Sequence, residues 1–453
     1  MYIYRKKIML LFIFFYNTTA CLFSNLMQQK APDNLIQTTV NATSHAKIKC
    51  LMLSLNEDPI FLQLAKVIQF DLEFTDQISV ELKKTDTEPD NKVLANLFKN
   101  DVSLCGFLKE ESVDKNNNDS RIISVTMKEP SSGQSVFQKK FKFNDKSIVC
   151  DAHAISDILL PALTGQHGPM LSTLAYCKQL SNKCKAICIS DYACKQEKVL
   201  YTSHRINLAP RWHTQAPVLF FSQITRENSK LMSIDIMSNS LKVVCPYDGL
   251  NMQPSFSEDG SKAILCMSGK KNSELYLYDQ NICKKLKKKI FTQLTNNGEN
   301  NVSPCYLPNN DVVFCSDFET GQPQIYLLDT KNKTTKRVTN GKGYCAAPSY
   351  CKKNNSIVFC RLVNGYFQLF TMDLDNKKAT EKQLTFDNAS KQEPVWSECG
   401  NYIAFSVDYL HPKAYKNVPQ IAVLNTTSKK TKILTFDDKP KSFPCWTGKT
   451  YYS

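Results

Sequence analysis

The most constraining feature is a triplet, Pro-x-aromatic, that recurs six times: Pro210–Arg211–Trp212, Pro254–Ser255–Phe256, Pro304–Cys305–Tyr306, Pro348–Ser349–Tyr350, Pro394–Val395–Trp396 and Pro444–Cys445–Trp446. Successive triplets lie 44, 50, 44, 46 and 50 residues apart, the period of a four-stranded propeller blade. Proline lacks an N–H and is tolerated at the start of a strand, and the aromatic two positions on shares its face. After each aromatic comes a polar turn, as in Ser257–Glu258–Asp259–Gly260, and then an apolar strand such as Ala263–Ile264–Leu265, Val312–Val313–Phe314 or Ile357–Val358–Phe359. A third strand ends in Asp or Asn (Asp279, Asp329, Asp373, Asn425), and a fourth closes on Thr295, Thr339, Thr385 or Thr435.

The sixth triplet starts a blade for which too few residues follow. Leu174 to Tyr176, Ile187 to Asp191 and Val199 to Tyr201, by contrast, read as three strands with no leading triplet. The economical solution pairs Ser442 to Trp446 with the early blade, which removes exposed edges. The expected fold is therefore α+β: a small N-terminal α/β domain over 46–169, then a six-bladed β-propeller over 170–453 closed by the C-terminal strand. In the first domain, strands are expected at Ile48–Leu53, Ile78–Leu82, Val102–Leu108, Ile122–Met127 and Val136–Phe143. Helices are expected after Pro59, around Val93 to Phe98 and over Ile148–Leu163. The stretch Glu110 to Asp119 reads as a hairpin tip.

Ahead of this, Arg5, Lys6 and Lys7 precede an apolar run from Ile8 to Phe15 and the small residues Thr18, Thr19 and Ala20. This is the pattern of a secretory signal over residues 1–20, cleaved after Ala20, with a run too short to span a membrane comfortably. Cys21 follows the cut, but Thr18 stands where a lipoprotein signal carries an aliphatic residue, which disfavours acylation. Residues 21–45 are polar and read as a flexible segment that orders on a partner. A soluble periplasmic protein, at most peripheral to the membrane and monomeric, is expected.

Export would permit disulfides among the 18 cysteines. Cys266, Cys315 and Cys360, however, share one strand position in successive repeats, too far apart to bridge, and serve as small apolar residues. Cys177, Cys184, Cys188 and Cys194 form no CxxC pair and have no histidine at zinc spacing, so a local disulfide is the better alternative to a metal site. No metal and no cofactor is expected.

The excess of Lys and Arg over Asp and Glu, 57 against 42, suits an acidic partner surface. The one dense run, Lys284 to Lys289, has no interleaved aromatic and reads as a solvated hairpin tip, so nucleic acid is not an expected partner. No catalytic residues stand out. None of the six histidines makes a metal-spaced pair, and no Gly-x-Ser-x-Gly elbow occurs. Peptidases of the prolyl oligopeptidase type carry similar repeats but need a hydrolase domain for which the chain has no room. Ser257-x-Asp259–Gly260 lacks the spacing of an aspartate box, which weakens a sugar-processing or sugar-binding reading. Sequons such as Asn41–Ala42–Thr43 would permit a secreted glycoprotein but discriminate little. Propellers bind partners over a channel mouth, so the loops entering each innermost strand supply the candidate contacts: Asn251, Gln253, Asn301, Ser303, Ala347 and Glu393.

The repeats resemble those of the TolB family of the Tol–Pal envelope system. The junction Leu163–Thr164–Gly165–Gln166–His167–Gly168, the strand end Ser190–Asp191–Tyr192 and the terminal Phe443–Pro444–Cys445–Trp446 are similar to that family's as well. Asn309–Asn310 and Asn354–Asn355 depart from its usual Pro-Asp-Gly turn. The resemblance implies a non-catalytic scaffold in cell division and envelope maintenance. It implies that the propeller binds a peptidoglycan-associated lipoprotein and that the flexible N-terminus engages TolA of the inner-membrane complex.

Overall fold

A computed structural model describes residues 47–453, apart from 56–57, 86, 100, 114–119, 246, 248, 269–271, 342, 375–379, 413–415 and 453. The expected signal segment, Cys21 and the segment 21–45 lie outside the described residues.

The chain begins with β1 (Ile48–Ser54), α1 (Pro59–Phe74), β2 (Ile78–Lys84), α2 (Asn91–Lys99), β3 (Leu104–Val113), β4 (Ser120–Lys128), β5 (Ser135–Asn144) and α3 (Ile148–Thr164). Their strands form one mixed sheet in the order β2-β1-β3-β4-β5. β1 runs parallel to β2 and β3, and the rest is antiparallel. The start of α1 is fixed by Asp58, whose carboxylate accepts the Ile60 N–H at 2.9 Å, with Pro59 in the first turn where its missing N–H costs nothing. α3 ends at Gly165, whose φ of 71° suits a residue without Cβ and lets its N–H reach the Pro161 carbonyl. β3 runs on to Val113, so the first part of the expected tip at Glu110–Asp119 is strand. Arg121, almost fully buried, holds that extension to the sheet through Glu110 at 2.6 and 2.9 Å.

Antiparallel strands follow, the later ones in four-stranded sheets. β6 (Thr173–Ser181), β7 (Cys184–Asp191) and β8 (Lys198–Tyr201) come first, then β9 (Ile206–Trp212), β10 (Val218–Ile224), β11 (Ser229–Asp235) and β12 (Ser240–Cys245). The next sheet holds β13 (Asn251–Phe256), β14 (Lys262–Ser268), β15 (Ser273–Asp279), the short helix α4 (Gln280–Leu286) and β16 (Phe291–Gln293). After it come β17 (Asn301–Tyr306), β18 (Val312–Ser316), β19 (Gln324–Asp329) and β20 (Thr334–Arg337). Another has β21 (Cys345–Cys351), β22 (Ser356–Val363), β23 (Tyr366–Asp373) and β24 (Lys382–Gln383). The last has β25 (Lys391–Trp396), β26 (Tyr402–His411), β27 (Lys416–Asn425) and β28 (Thr431–Ile433), and β29 (Lys441–Thr447) follows it. β29 pairs with β6, with Cys445 opposite Ala175 and Trp446 opposite Leu174, so the terminal triplet finds the early strands as expected. The lysine run lies exposed in the connection between the antiparallel β15 and β16, as a solvated hairpin tip would, and what the sequence did not announce is that this connection carries the short helix α4.

These elements form two compact units. Unit 1 holds residues 204–350 and 357–393; unit 2 holds 47–203, 351–356 and 394–452. In unit 1, each sheet buries one face against the next. Ile264, Cys266 and Leu275 pack with Val312, Phe314 and Tyr326, and Tyr306 of the triplet lies against them. Val313, Cys315 and Ile325 pack in turn with Ile357 and Phe359. The repeated cysteines sit at these contacts with their thiols reduced. Cys266 Sγ donates to the Asn301 carbonyl at 3.4 Å, and Cys315 Sγ to the Cys345 carbonyl at 3.4 Å. All seventeen described cysteines are free, so no local disulfide forms among Cys177, Cys184, Cys188 and Cys194. In unit 2, one core joins α1 and α3 (Phe61, Leu64, Ile68, Ile155, Leu159) to the strand residues Leu174, Tyr176, Tyr402, Ala404 and Trp446.

The repeated polar letters of the sequence each hold a turn. Asp235, Asp279, Asp329 and Asn425 accept two backbone N–H groups from the residues that follow. The hydroxyls of Thr295, Thr339, Thr385 and Thr435 accept the N–H of Leu275, Ile325, Leu369 and Ile421 at 2.9 to 3.1 Å, where a fourth strand leaves the ladder. Asn310 and Asn355 stand in the left-handed region at φ of 69° and 41°, as Gly260 does at 71°. Asparagine replaces glycine there because its short polar side chain tolerates that region.

Candidate protein-binding loops

The candidate residues lie where the chain enters the first strand of each sheet. Three positions before each triplet proline stands a buried residue: Asn207, Asn251, Asn301, Cys345 and Lys391 in unit 1, all at most 1% exposed. Three of these residues, Asn251, Asn301 and Lys391, latch the preceding loop from inside. Asn251 donates through Nδ2 to the carbonyls of Ser229 and Tyr247 at 2.8 and 2.6 Å. Asn301 donates to Glu274, to Asn297 and to the Glu299 carbonyl at 2.8 to 3.1 Å. Lys391 pairs with Asp387 four residues back and donates to the Ala389 carbonyl. Where Cys345 takes the position it is too short to span the loop, and Arg361 comes in instead. Its Nε lies 3.1 Å from Cys345 Sγ, and its guanidinium forks onto Glu381 at 2.5 and 2.7 Å. Burial alone would raise the Glu381 carboxyl, yet the hydrogen bonds from Arg361 hold it below its ordinary range. Burial does raise Glu274.

Immediately before each proline the backbone turns left-handed. Ala209, Gln253, Ser303, Ala347 and Glu393 have φ of 52°, 48°, 53°, 54° and 55°. The same geometry recurs in unit 2 at Phe443, with φ of 56°. The strand register slips at Gln253, between Met252 and Ser255, and at Ser303, between Val302 and Cys305, so these two sites are bulges. Non-glycine residues before proline favour extended backbone, so this conformation is held by the surrounding strands and latches. The bulge aims adjacent side chains at one another: Ser303 Oγ donates to Gln253 Oε1 at 3.1 Å.

The six candidates therefore divide. Asn251 and Asn301 are wholly buried and shape their loops without presenting a surface. Gln253 is 5% exposed and bonded to its neighbour, while Ser303, Ala347 and Glu393 are partly exposed. Sequence reading missed the latches at Lys391 and Lys441, although the acid four residues before each lysine (Asp387, Asp437) was a legible signal. It also missed the left-handed turns before proline, for which Ala, Ser, Gln and Glu give no signal.

Unit 2 holds a second polar cluster that was not foreseen. His153 Nδ1 lies 2.8 and 3.0 Å from the Asp71 carboxylate oxygens, and Tyr192 donates its hydroxyl to Asp71 at 2.6 Å. On its other side, His153 Nε2 is 3.8 Å from Asp191. Burial would depress the imidazole, but Asp191 and Asp71 outweigh it and raise its pKa to about 9. Asp191 also accepts the N–H groups of Lys195 and Gln196, which shapes the strand end Ser190–Asp191–Tyr192. No group of three or more His, Cys, Asp or Glu side chains arranged to hold a metal ion occurs among the described residues.

Comparison with known proteins follows this architecture. The family model described as "TolB beta propeller domain" matches residues 160–447. The Tol-Pal system protein TolB of Francisella tularensis subsp. mediasiatica is 27% identical over 263 residues, covering 56% of this chain and 59% of that protein. The Tol-Pal system protein TolB of Helicobacter pylori is 24% identical over 246 residues, covering 52% and 56% respectively. The chain thus spans less than two thirds of the length of these curated relatives. The crystal structure of TolB from Acinetobacter baumannii superposes with a TM-score of 0.76 at 18% identity, covering 88% of this chain and 96% of that one, which shows a shared fold.

Proposed function

The chain belongs to the TolB β-propeller domain family, and from that premise we propose that it is a non-catalytic scaffold of a Tol–Pal system. In this reading the sheets form six blades, with β29 completing the blade of β6 to β8. The protein is exported after cleavage near Ala20. Its first-strand loops bind a peptidoglycan-associated lipoprotein, and residues 21–45 engage a TolA-like inner-membrane protein. Among the described residues no helix is long and apolar enough to cross a membrane.

The observation that carries the binding role is the repeated first-strand bulge, fixed from within by buried latches. Loops held this way lose little freedom on binding, which favours affinity. The His153–Asp71 pair offers no support for catalysis, because His153 is 2% exposed and Asp71 fully buried, out of reach of a substrate.

Ser303→Arg combined with Ala347→Arg tests the reading. Both positions already carry a Cβ at positive φ and are partly open, so the fold should tolerate the change. Binding of purified peptidoglycan-associated lipoprotein, measured by calorimetry, should weaken at least about tenfold, roughly 1.4 kcal/mol, with the melting temperature nearly unchanged. Unaltered binding would place the interface elsewhere. Peptide or glycoside turnover that a single Ser or His substitution abolished would overturn the scaffold reading.

A further inference from the structure

The helix α4 interrupts a turn that its neighbours make tightly. Asp235 to Ser240 and Asp329 to Thr334 join third to fourth strands directly, whereas here seven helical residues and a lysine-rich exit intervene. Folding requires little of this insertion. Its anchor is Cys283, whose carbonyl accepts the Lys288 N–H at 3.1 Å and whose Sγ accepts the Ile290 N–H at 3.3 Å. Ile282 and Leu286, one turn apart and so on one face, are 48% and 56% exposed. Lys284, Lys285, Lys287, Lys288 and Lys289 are all exposed, and no ion pair to them occurs among the described residues.

The adjoining strand extends the same surface. β12 has six residues where β16 and β20 have three and four, and its Leu241 and Val243 are 40% and 47% exposed with Lys242 between them. Lys289 Nζ donates to the Val244 carbonyl at 3.3 Å, and the rings of Tyr247 and Phe291 meet edge to face, which places α4 beside this strand. Lys333 adds a further charge by reaching the Gln293 carbonyl on β16. Among the described residues the acids of the turns along this edge are Asp235, Asp279 and Asp329, and each carboxylate accepts backbone N–H groups of its own turn. Lys242, Lys333 and the five lysines of the run outnumber these carboxylates, so the face is aliphatic and net cationic.

We propose that this edge, α4 together with β12, docks the protein on an anionic lipid surface. Two features favour lipid over an acidic polypeptide. The cations from 281 to 291 are all lysine, a point charge on a long stem, whereas specific carboxylate recognition uses the planar fork of arginine. The apolar groups are isolated aliphatics on a short helix, suited to shallow insertion while lysine stems extend to the headgroups. Each lysine near a charged membrane adds roughly 1 kcal/mol, so five in six residues suffice for reversible attachment. The surface is independent of the first-strand loops, and so is its test.

The full chain should cosediment with vesicles of phosphatidylcholine and phosphatidylglycerol mixed in about a two-to-one ratio, and not with phosphatidylcholine alone. Replacing Lys284, Lys285 and Lys288 with Ser should weaken this at least about tenfold, with the difference shrinking as salt is raised. Ile282→Ser with Leu286→Ser should weaken it about tenfold. Both variants should melt with the parent, because every altered side chain is exposed. Absent binding, equal binding to neutral vesicles, or binding that survives both variants would overturn the proposal. Polyglutamate that displaces the chain from vesicles, with the Ile282 and Leu286 pair without effect, would assign the surface to an acidic polypeptide instead.

Discussion

The two units hold their polar interiors in different ways. Unit 1 repeats small latches, with neutral side chains at Asn251, Asn301, Thr295, Thr339, Cys266 and Cys315 and ion pairs at Arg361–Glu381 and Lys391–Asp387. Unit 2 joins α1 and α3 to the end of β7 through a buried imidazole set between two carboxylates. Neutral hydrogen bonds contribute modestly and are indifferent to pH, whereas a buried charge is costly unless its partners stay. The difference teaches where the molecule tolerates drift. A repeated latch can change identity from Asn to Cys or Lys, provided a neighbour such as Arg361 or Asp387 compensates. The His153 cluster has no repeat to copy from, and every member depends on the others.

The sharpest way to break the comparison is Asp71→Ala, which strips His153 and Tyr192 of their shared acceptor. It should cost about 3–5 kcal/mol in chemical denaturation, far more than any single latch in unit 1. If it costs no more than a latch, the contrast is wrong. A second test is pH. The folded pKa of His153, about 9, lies above its ordinary 6.5. Its contribution is therefore fully present below about 6.5 and is lost as pH rises through about 9, on the order of 3 kcal/mol. Thermal melts across that window should show the loss, and His153→Gln should flatten it. Next comes Asn301→Ala, which removes donors from Glu274, Asn297 and the Glu299 carbonyl; we expect about 1–3 kcal/mol, with no added pH dependence between 6.5 and 9. The smallest effect is expected from Cys266→Ala, which removes a weak thiol hydrogen bond and little volume, at about 1 kcal/mol or less. Thiol labelling of the native protein should meanwhile be slow at Cys266, because burial raises its pKa to about 12.

Much of the fold was legible. Asp279, Asp329 and Asn425 at third-strand ends and Thr295, Thr339, Thr385 and Thr435 after fourth strands each correspond to hydrogen bonds in the structure, because each satisfies a local backbone need that only certain residue types meet. The strands and helices before residue 165 were legible for a similar reason, in hydrophobic periodicity. The candidate site was half legible. Its place at the first-strand entries could be read from the repeats, but which of the six side chains face outward could not. That depends on the left-handed backbone before each proline, and neither Ala347 nor Ser303 encodes such a turn locally.

The sequence by itself determined the repeat, the strand and turn assignments and the pairing of the terminal triplet with the early strands, since these follow from period, patterning and an unpaired edge. Only the tertiary structure decided which polar residues are buried. Asn251 and Lys391 look like surface residues in one dimension and become internal latches when a loop folds over them. His153, Asp71 and Asp191 lie 82 and 38 residues apart along the chain and meet only because two helices and a strand end share one core. The lysine run shows the converse. Its composition was plain, but Asp279 caps the helix that puts Ile282 and Leu286 on one exposed face with the same bonds by which Asp235 and Asp329 hold plain turns, so that residue did not announce a helix.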